Sequence, residues 1–164
     1  MTYEVATTAD MEALGAAFGS RAHAGDVIVL SGELGAGKTT LARGFAEALG
    51  VHTPVSSPTF IVARTQARKS AGEPPLVHID AYRLGSAAEL EDIDIDVSGS
   101  IVVAEWGAPY ISALATSWVE ITLTRPTGGL LAQDTLEEPR QVGVTAHGPD
   151  ATRYQRYLDI VGAL

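Results

Sequence analysis

Gly32-Glu33-Leu34-Gly35-Ala36-Gly37-Lys38-Thr39 fits the pattern G-x-x-x-x-G-K-[ST] at every position. No other stretch constrains the fold as strongly. Residues 26–30, just before it, are an apolar run with β-branched side chains at Val27, Ile28 and Val29. Residues 38–49, just after it, carry a helical pattern that stops at Gly50. A loop that wraps an anion must turn several backbone N–H groups inward, and glycine reaches the required conformations at least cost. The helix that follows aims its positive N-terminal end at the same point. The arrangement predicts a buried strand, a phosphate-cradling loop and a helix, with Lys38 reaching the β and γ phosphates and the Thr39 hydroxyl able to hold Mg²⁺. The alternative is a glycine-rich turn with an incidental lysine. Against it, Lys38 is one of only two lysines in the chain, the other being Lys69.

The rest of the pattern predicts an α/β fold, P-loop NTPase-like, with a mixed, mostly parallel central sheet flanked by helices. Thr7 reads as the cap of a first helix, with Met11, Leu14, Ala17 and Phe18 on one face and a break at Gly25-Asp26. Strands are expected over 60–65, 76–82 and 101–104, a short helix over 87–93, and half-buried strands over 118–124 and 141–146. Residues 66–75, polar and ending in Pro-Pro, read as a loop, and 150–164 as an amphipathic closing helix. At 164 residues with 46% hydrophobic and 19% charged content, the expectation is a single domain over 1–164 with its own core.

Charge and composition narrow the function. The 11 basic and 20 acidic residues leave a net charge of −9. Phosphate-backbone affinity comes mainly from Lys and Arg, so DNA is not expected as a partner, and RNA only through another protein. No cysteine is present, which removes disulfides, thiolate zinc sites and cysteine nucleophiles. Residues 1–10 lack the basic and apolar regions of a secretory signal, and no run is long enough to span a bilayer, so the expectation is a cytoplasmic protein without a membrane role.

A P-loop needs a carboxylate near Mg²⁺, commonly at a strand end. Glu105 and Asp80 each close an apolar run. Glu105 is favoured for Mg²⁺ and Asp80 for activating water or sensing the γ-phosphate, although either alone could be a solvated strand-end carboxylate. The chain contains no Asn, so the Asn-Lys-x-Asp reader of guanine is absent and ATP is expected. Ser56-Ser57-Pro58-Thr59 falls where a switch loop would offer a Thr hydroxyl, and equally reads as a Pro-rich turn. The spacing from Asp94 to Glu105 imitates a calcium loop. Its second half is a strand pattern, and Trp106-Gly107-Ala108-Pro109 cannot open the flanking helix such a loop needs, so calcium is not expected.

Four blocks carry a family resemblance. They are the stretch from Gly32 to Gly44; Val55-Ser56-Ser57-Pro58-Thr59-Phe60; His78-Ile79-Asp80-Ala81-Tyr82-Arg83-Leu84; and Val103-Ala104-Glu105-Trp106. In order and spacing the chain resembles the TsaE (YjeE) family, P-loop ATPases of tRNA threonylcarbamoyladenosine biosynthesis, over about residues 1–125. The resemblance implies a weak ATPase acting as a nucleotide switch on a complex of TsaD-like and TsaB-like subunits, with tRNA reached only through that complex. It implies ATP/ADP contacts at Gly32, Glu33, Leu34, Gly35, Ala36, Gly37, Lys38, Thr39 and Thr40, with Thr8, Trp106 and Ala108 flanking the nucleotide. Thr39 and Glu105 would share Mg²⁺, Asp80 would serve hydrolysis together with Glu105 and Lys38, and Thr59 would belong to the switch. The family often has Pro after Glu-Trp; here Gly107-Ala108-Pro109 follows. Arg125 and Arg140 are candidates for a late nucleotide-contacting arginine.

Two further readings compete. One is a P-loop small-molecule kinase, whose only candidate lid is 66–75 with Arg68 and Lys69. The other is an interaction module that binds nucleotide without turnover.

Overall fold

The computed structural model describes residues 2–51, 62–125 and 138–164. The switch candidates Ser56 to Thr59 and the segment 126–137 lie outside them.

Among the described residues, seven strands form one sheet: β1 (Thr2–Val5), β2 (Val27–Gly32), β3 (Ala63–Gln66), β4 (Leu76–Asp80), β5 (Ile101–Glu105), β6 (Trp118–Thr124) and β7 (Arg140–His147), in the order β1-β7-β6-β2-β5-β4-β3. The central strands β6, β2, β5 and β4 run parallel. β7 and β3 are antiparallel to their neighbours, and β1 pairs antiparallel with β7. The α/β expectation, with a mostly parallel central sheet and flanking helices, therefore holds. β2 lies between β5, toward which the chain winds first, and β6, to which it returns. The loop leaving its carboxyl end thus opens at the point where the winding reverses, which is where open α/β sheets bind ligands.

Helices cover both sides of β2, which explains its unbroken apolar run. Ile28 and Leu30 face one core, together with Leu76, Ile101, Val103 and Ile121. Above them lie α1 (Thr8–Gly19), α2 (Lys38–Leu49) and α4 (Gln155–Gly162). Val27 and Val29 face a second core with Val77, Ile79, Val102 and Leu90 of α3 (Ala87–Glu91). α1 begins as expected, with the Thr7 hydroxyl accepting from Asp10 N at 3.1 Å. α2 ends where Gly50 enters a left-handed conformation, φ 67°.

α1 and α2 approach closely through glycine. A Cβ on Gly15 would stand 2.1 Å from Leu41 O, and one on Gly44 would stand 2.0 Å from Glu12 O. Backbone meets backbone there, so α2, which carries Lys38 and Thr39, has its position set by α1.

Three expectations need correction. β1 was not foreseen: it is a short edge strand that exists through its pairing with β7. Asp26 is not part of the strand; fully buried at its foot, it accepts from His23 N, Tyr157 Oη, Arg153 and Arg156. The expected closing helix opens as a tight 3₁₀ turn over Ala151–Tyr154, where the Tyr154 hydroxyl donates to Ser117 O at 3.1 Å. Among the described residues no helix is long and apolar enough to cross a membrane.

Candidate active site

β2 ends at Gly32, where φ is 150°, and the chain turns through Gly35 (φ 75°) and Gly37 (φ 107°) into α2. These left-handed conformations favour glycine. At Gly35 a Cβ would also come within 2.6 Å of Arg125 Nη2, which donates to Gly35 O at 2.9 Å. The loop encloses one side of a pocket of about 260 Å³ lined by Leu34, Gly35, Gly37, Lys38, Thr39 and Thr40. Asp80, Tyr82, Arg83, Glu105 and Trp106 line the other side.

Parallel pairing brings the two halves together. Asp80 and Glu105 are register partners at the carboxyl ends of β4 and β5, on the sheet face that α2 covers. The Thr39 hydroxyl, in the first turn of α2, donates to Glu105 Oε1 at 3.0 Å. The other carboxylate oxygen, Oε2, meets His78 Nε2 at 2.6 Å. Glu105 is 4% exposed and His78 3%. Asp80 is only half-buried, and its Oδ1 accepts from Tyr82 N at 3.1 Å.

Lys38 folds back over its own loop, donating to Gly32 O and Glu33 O at 2.8 Å each. Its ammonium also sits 3.8 Å from the centre of the Trp106 ring. Burial pulls the Lys38 pKa below its ordinary value, and the negative charges of Glu105 and Asp80 oppose that shift. Trp106 is the one non-glycine described residue with a positive φ, 61°. Its ring lies 5.1 Å from that of Tyr82.

The remaining candidates fall into distinct places. Gly32 and Glu33 present carbonyls to Lys38, and Ala36 is buried beneath the loop. Thr8 borders a separate, smaller cavity of about 40 Å³ with Thr7, Thr40, Glu138 and Arg140; Thr40 also lines the main pocket. Arg140 stays close to Arg125. Burial first, and then that neighbouring charge, lower its pKa. Ala108 is exposed and does not line the pocket, because the chain turns away after Trp106, with Tyr110 N donating to Gly107 O at 2.9 Å. The supposed lid arginine is also elsewhere. Arg68 Nε donates to Leu49 O at 2.7 Å and its Nη1 pairs with Glu73, so it sits at the far end of α2.

Sequence reasoning assigned no role to His78, Tyr82 or Arg83. The signal was period-two alternation on β4: His78 and Asp80 must share a face. Tyr82 and Arg83 follow in the turn that Asp80 caps.

Comparison with known proteins agrees with the geometry. The model of the family described as "Threonylcarbamoyl adenosine biosynthesis protein TsaE" matches residues 5–129. The chain belongs to the TsaE family. Among the family's curated members, the tRNA threonylcarbamoyladenosine biosynthesis protein TsaE of Streptomyces coelicolor is 47% identical over 141 residues, 84% of this chain and 91% of that protein. The TsaE of Mycobacterium tuberculosis is 44% identical over 124 residues, 71% of this chain and 74% of that protein. In fold, the chain is similar to the crystal structure of Bacillus subtilis YdiB, with a TM-score of 0.70 and 22% identity, covering 99% of this chain and 94% of that one.

The oxygen groups suit Mg²⁺. Two neighbouring ligands at about 2.1 Å in an octahedron stand about 3.0 Å apart. Thr39 Oγ1 and Glu105 Oε1 are 3.0 Å apart.

Proposed function

We propose that this chain is the Mg²⁺-dependent ATP-binding and ATP-hydrolysing subunit needed for threonylcarbamoyladenosine modification of tRNA. In this reading residues 1–164 act as one P-loop ATPase domain in the cytoplasm, and ATP and ADP states switch a complex of TsaD-like and TsaB-like subunits. The observation that carries it is the Thr39–Glu105 pair at the foot of the phosphate loop, with Lys38 and Asp80 beside it.

The roles follow from chemistry. Loop N–H groups and the start of α2 bind the phosphates. Lys38 exchanges the carbonyls of Gly32 and Glu33 for β- and γ-phosphate oxygens. Thr39 and Glu105 would hold Mg²⁺, which supplies charge neutralisation on the phosphates when bound. Asp80, at the less buried rim, orients the attacking water and takes up its proton. Weak turnover by the isolated chain, with a partner completing the pocket, belongs to this reading; Leu34, 80% exposed, and Tyr82, 65% exposed, are the apolar groups such a partner could cover. The family membership supports the tRNA-modification role.

The test combines two measurements. Slow ATP hydrolysis is expected from the purified chain, faster hydrolysis with TsaD and TsaB, and loss of nucleotide binding in Lys38→Ala. Co-purification with TsaD and TsaB should differ between ATP and ADP. Unchanged ATP affinity in Lys38→Ala, or partner binding indifferent to nucleotide, would overturn the reading.

A further inference from the structure

We infer that His78 is a positioning residue for the metal site, one that selects which oxygen of Glu105 faces Mg²⁺. The inference rests on the reading that Thr39 and Glu105 hold that ion. His78 and Asp80 alternate on β4, so both project to the face on which Glu105 ends β5. Asp80 is the direct register partner of Glu105, and His78, two positions earlier and opposite Val103, reaches it along the strand. The two side chains are 4% and 5% exposed and meet at 2.6 Å.

As a metal ligand Glu105 would be a carboxylate, which only accepts, so in this reading His78 Nε2 carries the hydrogen and donates it to Oε2. That leaves Oε1 turned toward Thr39 Oγ1. A carboxylate without such a partner would rotate, or would offer both oxygens to the ion. Mg²⁺ tolerates only a narrow octahedral geometry, so the bond that fixes the rotation determines affinity. Outer partners of this kind, when removed, weaken metal binding by about 10–100-fold. His78 touches no nucleotide position: it lies below the pocket, behind Glu105, and does not line it. Its effect should therefore appear in metal affinity and not in metal-free nucleotide affinity.

The experiment titrates Mn²⁺, read by its electron paramagnetic resonance signal, into the full chain saturated with ADP. Nucleotide affinity is measured separately in EDTA. His78→Leu keeps bulk and removes the donor; His78→Gln places an amide N–H where Nε2 stood; Glu105→Gln reports on the site itself. A fall in Mn²⁺ affinity of about 10–100-fold is expected in His78→Leu, with His78→Gln within about threefold of the parent chain and EDTA affinities unchanged. Equal Mn²⁺ binding in His78→Leu and the parent chain would overturn the inference, as would equal losses in the Leu and Gln variants, or a parallel fall in metal-free nucleotide affinity. If His78→Leu does not fold, His78→Asn, whose amide stands nearer the Nδ1 position, takes its place. Binding by Asn as tight as by Gln then overturns the inference. Failure of the underlying reading looks different: the Mn²⁺ affinity of Glu105→Gln would match that of the parent chain.

Discussion

The Lys38 ammonium lies against the face of Trp106, 3.8 Å from the ring centre, while it donates to the carbonyls of Gly32 and Glu33. The one described non-glycine residue in a left-handed conformation thus holds its ring over the ammonium proposed to bind phosphate. Such a conformation costs on the order of 1–3 kcal/mol and persists where surrounding contacts impose it. A cation over a shielded indole recovers about 1–2 kcal/mol. If Lys38 binds phosphate as proposed, the anion must draw it away from these partners.

Nucleotide binding should therefore alter the emission of Trp106. Titrating ATP into the chain should change tryptophan fluorescence, and Trp106→Phe should abolish the change. Trp118, the second tryptophan, begins β6 at the opposite end of the sheet and should stay silent. A full response in Trp106→Phe would show that the ring does not sense Lys38.

The pH dependence of binding has a definite sign. Burial disfavours the Lys38 ammonium, so in the free protein it loses its proton below the ordinary value of 10.5. In the proposed role, its contribution to triphosphate affinity is full below that depressed pKa and is lost as pH rises through it. Equilibrium binding measured up to pH 10 should show affinity for ATP weakening before a normal lysine would titrate. Constant affinity across that range would contradict it.

Gly44→Ala should destabilise the chain although alanine favours helices by about 1 kcal/mol over glycine. Its methyl group would stand 2.0 Å from Glu12 O, so α1 and α2 must separate. The expected net loss is about 1–3 kcal/mol by chemical denaturation. Because α2 carries Lys38 and Thr39, ATP affinity should fall with it. An unchanged denaturation midpoint would mean that the crossing is looser than described.

The Asp26 cluster joins the foot of β2 to the last helix. Tyr157 Oη donates to Asp26 Oδ2 at 2.7 Å, and burial, with the Asp26 charge, raises the pKa of Tyr157 well above 10.0. Stability from this group is complete below the unfolded value near 10.0 and is lost as pH rises above it. Tyr157→Phe should cost about 1–3 kcal/mol at neutral pH, since it removes a buried donor to a charged acceptor. It should also flatten the loss of stability above pH 10.0. Urea midpoints at neutral and alkaline pH, compared between the two chains, decide both points.

What could be read from the chain followed locality. The phosphate loop, its strand and its helix are specified by neighbouring residues, and Lys38 to Leu49 forms a helix with the expected limits. β4 and β5 were legible because covered parallel strands read as apolar runs. β1 was not, since four residues with one buried side chain carry too little pattern. The Asp26 cluster was hidden for another reason: its Tyr157 partner lies 131 positions away.

The sequence alone determined the chemistry available: one loop able to cradle phosphate, one well-placed lysine, two carboxylates at strand ends and no guanine reader. Tertiary structure decided which of these groups meet. Thr39 and Glu105 are 66 positions apart, and only the parallel register of β2, β5 and β4 brings them to 3.0 Å. The same register set His78 behind Glu105, and the turn after Trp106 carried Ala108 outside the pocket. Side-chain identity is local, but a binding geometry accurate to a few tenths of an ångström comes from packing of distant elements, which no short stretch of residues encodes.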